Sequence, residues 1–223
     1  MSEAYILVSL VRIVASLAIL KWPLFGVLAS IYIDVNDFDL LNLQNQTQWE
    51  AYQVWDKVFD TWYLLLAAFV SLRWKDKLAK KISISSFFYR LLGVLVSPLM
   101  GTRSILIFFP NFFENFFLFY MIFTKFSKGK ILLSSRFDAV VILTAILIPS
   151  LAREYFIHVI RTPPWEAYNI TKVLGVPRLW SGIDISYWVW ILILLFLPVS
   201  ALIWKIVRVK KEQSKYSTKN NLE

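Results

Sequence analysis

The residues in this sequence best placed to do chemistry are four aspartates. Asp34 and Asp37 stand three positions apart, and Asp56 and Asp60 stand four apart. On helices, each spacing turns both carboxylates of a pair to one face. All four lie at the ends of two apolar segments within residues 33–64, where a carboxylate is costly unless it is paired, metal-bound or open to water. Two facing helices would aim four carboxylates into one space, and like charges that close cannot all ionise unless cations compensate them. Hard oxygen donors suit magnesium, manganese or calcium rather than zinc. Paired metal ions that activate one oxygen and stabilise another are the machinery of phosphoryl displacement.

The spacing resembles that of a known family. CDP-alcohol phosphotransferases carry the pattern D-x2-D-G-x2-A-R-x9-G-x3-D-x3-D across two membrane helices, and Asp34, Asp37, Asp56 and Asp60 fall on all four of its Asp positions. Phe38 and Tyr52 stand where the pattern has glycine, Leu41 where it has alanine and Asn42 where it has arginine. The resemblance implies Mg2+ or Mn2+ held by Asp34, Asp37, Asp56 and Asp60, with Asp56 or Asp60 as the catalytic general base. It implies a phosphotransferase of lipid synthesis, with membrane lipids as partners. Bulky side chains in place of glycine obstruct the close approach of a phosphate, and the missing arginine removes a bidentate phosphate contact.

The elements that must position these residues are membrane helices. The chain has 223 residues, is 58% hydrophobic and has a mean hydropathy of +0.58, which is too apolar for a soluble domain of this size. A spanning helix needs about 20 mostly apolar residues, and the apolar runs predict an all-α, polytopic protein of about six transmembrane helices. Residues 1–208 form one transmembrane domain and residues 209–223 a basic tail. The net charge of +9 gathers in short loops beside apolar runs, as orientation signals and anionic-lipid contacts do, so no nucleic-acid partner is expected. Without cysteine and with a single histidine, the chain offers neither a thiolate nor a histidine-rich metal centre.

Pro23 permits two readings of the first apolar run: one long kinked helix, or a tight turn between two short ones. If the second of two helices ended at Asp34 it would cross only about half the bilayer core, so a single kinked span is preferred; two helices would raise the total to seven. The basic stretches 73–81 and 125–136 both belong on the cytoplasmic side. With six spans, both termini are then cytoplasmic. The acidic connection after Asp34 falls on the other face, with Arg103, Glu114, Arg153, Glu154 and His158 at the same level. The fifth span covers about residues 140–157 and the last about 185–206.

Each feature also has a plainer reading. Asp39 reads as a helix cap or loop acid. Asp56 and Asp60 could pair with Lys57, or with Arg12 in the first span, as an ionic lock between helices. Arg103 is the expected partner of Glu114. Glu154 and His158, four apart, suit a helix-end pair, or less commonly a proton relay. Residues 108–120, rich in phenylalanine, read as a lipid-facing or helix-packing surface. Three functional classes follow: a divalent-metal phosphotransferase, an ion-coupled transporter, and a non-catalytic subunit of a larger membrane complex or homo-oligomer.

Overall fold

The computed structural model describes residues 3–41, 46–101, 103–127, 130–155 and 196–211. Among these the protein is all-helical: α1 (Glu3–Leu17), α2 (Pro23–Leu40), α3 (Gln46–Ser71), α4 (Lys77–Leu99), α5 (Phe112–Phe126), α6 (Arg136–Glu154) and α7 (196–211), with short 3-10 segments at Ala18–Leu20 and Arg103–Phe108. Two helical segments, Glu3–Leu20 and Lys77–Leu99, are long and apolar enough to cross a membrane.

The first apolar run is two helices, not one kinked span. α1 tightens into the 3-10 segment, Trp22 donates its N–H to the Ala18 carbonyl at 2.8 Å, and Pro23 opens α2 in the first-turn position, where its missing N–H costs nothing. The turn closes tightly because residue 26 is glycine: a Cβ there would lie 2.3 Å from the backbone nitrogen of Ile19. α2 does not stop at Asp34 either. It runs 18 residues to Leu40, roughly 27 Å at 1.5 Å per residue, because both of its first two aspartates find a partner on α1.

This hairpin reorders the ends of the bundle. Asp76 caps α4 by accepting from the Ala79 N–H at 3.0 Å, and its second oxygen accepts from Leu132 and Leu133 at 3.0 and 3.3 Å. The two basic stretches thus share one end, as their charge predicted. The Lys21–Pro23 turn lies there too, beside Thr124 and Lys125, as does Asp138, paired with Lys205 and Arg208 of α7 at 2.7 and 3.0 Å. Residue 3 therefore sits at the opposite end from residue 211. The expectation of both termini on the cytoplasmic side falls on residues 1–2 and 212–223, which lie outside the described residues.

α3 is the central element, packed against α1, α2, α4 and α5. Most of the phenylalanine-rich run packs between helices: Phe113, Phe116 and Phe117 are fully buried, as is Phe123 beyond it, while Phe108 at its start is exposed, and Tyr120 stacks on Trp74 at 3.7 Å between ring centroids. The outer surface is apolar as well, with Phe25, Tyr32, Val54, Leu99 and Phe196 all exposed.

Candidate functional site

α1 buries Val8, Arg12 and Ser16, one residue per turn on a single face. That face meets α3, where the indole N–H groups of Trp55 and Trp62 donate to Ser9 and Ser16 at 3.2 and 2.9 Å. These two bonds fix the register that brings Arg12 between α2 and α3. There its guanidinium reaches all four aspartates. Nη2 bonds Asp34 at 2.5 Å and Asp60 at 2.9 Å, while Nη1 bonds Asp56 at 3.0 Å and also Asp37. The ring faces of Trp55 and Phe59 flank it at 5.3 and 5.4 Å, a placement that favours a cation.

Two further groups complete the centre. Lys57 bridges Asp56 and Asp60 at 2.7 and 2.5 Å, and the Tyr52 hydroxyl donates to Asp37. Burial is graded across it: the Asp37 side chain is fully enclosed and Arg12 is 4% exposed, whereas Asp34 is 27% exposed. The centre is therefore approached from the Asp34 side.

All four aspartates singled out in the sequence converge, and the ionic lock to Arg12 is formed. Asp39 has no described side chain. Tyr52, read from sequence only as a bulky residue in a glycine position, is a hydrogen-bond donor to the cluster. Its separation from Asp56 by one helical turn was the available signal.

The charges do not balance. Among the described residues, four carboxylates face two cationic side chains, a formal excess of two negative charges in a largely enclosed space. Such an excess calls for protons or another cation. One oxygen from each of Asp34, Asp56 and Asp60 lies within 4.8 Å of the others, close enough for a single ion. A carboxylate has about four lone-pair sites, so oxygens already bonded to Arg12 or Lys57 keep capacity for a metal. The donor set is all hard oxygen, as Mg2+ or Mn2+ requires.

A second polar network begins one turn further along α3. Tyr63 donates to Glu114, which also accepts from Asn111 at 2.7 Å and pairs with Arg153 at 3.4 Å. Glu154 pairs with Arg90 at 3.3 Å and accepts from the Asn111 backbone N–H at 3.1 Å. Arg153 and Glu154 thus join the level of Glu114 as their sequence positions suggested, but Glu114 is met by Arg153 from α6. The side chain of Arg103 and the whole of His158 lie outside the described residues. Among the described residues, two arginines and two glutamates meet in this network. At the basic end, burial acts to raise the Asp138 carboxyl, but hydrogen bonds from Lys205 and Ser134 outweigh it and hold the group below the usual carboxylate range.

Compared with protein families, curated proteins and solved structures, the chain matches none.

Proposed function

We propose that this chain is a multi-pass integral membrane protein whose four aspartates form a divalent-cation centre, and that the centre serves phosphoryl transfer of the CDP-alcohol type. The membrane reading is supported by the broad apolar exterior: in the two span-length segments only 22% and 28% of the residues are buried inside the protein, unlike the core helices of a soluble bundle. With loop lysines setting orientation, the basic end faces the cytoplasm and the aspartate centre lies toward the opposite face.

The observation that carries the metal reading is the unbalanced carboxylate triad of Asp34, Asp56 and Asp60. These three would hold the ion, with Asp37 retained by Arg12 and Tyr52. Bound there, a divalent metal supplies charge neutralisation for a phosphoryl group and its leaving oxygen. Arg12 fixes the relative position of the two helices that carry the ligands, and Lys57 bridges Asp56 and Asp60 and holds them aligned.

A second reading is favoured by the contacts of two side chains. The Tyr52 hydroxyl fills the place where the resembled pattern has glycine, and Arg12 fills the space among the carboxylates. In that reading the centre is a structural lock in a non-catalytic membrane subunit. The two are separated by supplying purified protein with Mn2+, a CDP-activated lipid alcohol and a polyol whose hydroxyl accepts the phospho-alcohol unit as CMP leaves. CMP release that disappears in Asp60→Asn supports the transferase. Metal binding without CMP release leaves the lock.

A further inference from the structure

Where the α1–α2 turn meets the end of α5, at the basic end of the bundle, a groove of about 590 Å3 opens to the outside. Its rim carries Lys21 and Lys125, and its walls are Trp22, Phe25, Leu28 and Met121. Among the described residues neither lysine is in an ion pair, and Lys21 lies over the Trp22 ring at 4.7 Å. The carboxylates described at this end, Asp76 and Asp138, are buried and engaged with their own partners. Among the described residues no acid lines the groove.

The layout has a polar end and an apolar run. From the lysines, Phe25 and Leu28 continue along α2 toward the middle of the bundle, both exposed. An exposed tryptophan marks the boundary between the two, as at membrane interfaces. We propose that this groove is a binding site for an anionic phospholipid, its phosphate between Lys21 and Lys125 and one acyl chain along Phe25 and Leu28. The site rests on the membrane reading but not on the metal reading. Charge selects the ligand: a zwitterionic head group would bring its own cation to two lysines without net negative charge, whereas phosphatidylglycerol brings a negative charge and no cation. Gly26 keeps the turn beside the groove closed, since any side chain there would force it away from Ile19.

The test uses the full-length protein reconstituted in phosphatidylcholine vesicles that contain a minor fraction of brominated phosphatidylglycerol or of brominated phosphatidylcholine. The Trp22 contribution to fluorescence is isolated by subtracting the Trp22→Phe variant. Brominated phosphatidylglycerol should quench that contribution at roughly tenfold lower mole fraction, the scale of preference that surface lysines confer. The Lys21→Gln/Lys125→Gln double variant should lose the preference while keeping its far-ultraviolet circular dichroism. Equal quenching by the two lipids, or a preference that survives in the double variant, overturns the site. Failure of the wild-type protein to enter vesicles at all overturns the membrane reading beneath it.

Discussion

Replacing Arg12 by glutamine removes one guanidinium from contact with four carboxylates, and the structure sets the scale of the loss. Arg12 is 4% exposed and bonds Asp34, Asp37, Asp56 and Asp60 at once. Breaking even one buried ion pair by deleting a partner costs about 3–5 kcal/mol, so that range is a floor here. It is a large share of the ~5–15 kcal/mol that holds a typical protein folded. For a chain of this length each kcal/mol moves the melting temperature by about 2–4 °C, so Arg12→Gln should melt roughly 6–20 °C below wild type. Lys57 would then face four carboxylates alone, a formal excess of three negative charges. A divalent cation should enter that space more readily than in wild type and restore much of the lost stability. The assay is thermal unfolding of detergent-purified protein with and without Mn2+. An Arg12→Gln protein that melts like wild type, or whose loss Mn2+ leaves untouched, would refute the reasoning about this centre.

Three other perturbations test the surrounding framework. Gly26→Leu should open the α1–α2 hairpin, because its Cβ would fall 2.3 Å from the Ile19 backbone nitrogen; a drop in melting temperature is expected, and an unchanged value would mean the turn is looser than described. Thiols introduced at Gln46 and at Lys130 should be labelled from opposite faces of sealed vesicles, Lys130 from the side of the C-terminus. Asp138 has a folded-state value below its unfolded one, so its contribution is present above the unfolded carboxylate range near 3.9 and is lost as pH falls through the folded value. Wild type should therefore lose more stability than Asp138→Asn when acidified below that range, as measured by parallel melts across pH.

The convergence of the aspartates was legible in the sequence because it rests on local spacing: pairs three and four apart must share a helix face. The shared end of the two basic stretches was legible from charge alone. The path of the first run was not, since proline fits both a kink and a helix start. The choice between them depends on Gly26 lying against Ile19, a contact that no periodicity reports. Stopping α2 at Asp34 failed for a related reason. The residue that allows a helix to continue past two acids is Arg12, 22 and 25 positions away in sequence. The same holds for Glu154 with Arg90, separated by 64 positions, and for Lys205 with Asp138, separated by 67. Such pairs are set by how whole helices pack, so sequence offers the charged residues but not the matches among them.

The central claim is that an enclosed group of four acids and two bases takes up a divalent ion. Titrating Mn2+ into the detergent-purified protein and following the free-ion paramagnetic resonance signal tests this most directly. Wild-type protein should suppress the signal stoichiometrically, and Asp34→Asn, Asp56→Asn and Asp60→Asn should each weaken the suppression. A free-ion signal that the wild-type protein leaves unchanged would overturn the metal reading and leave Arg12 and Lys57 as the cations described at the four aspartates.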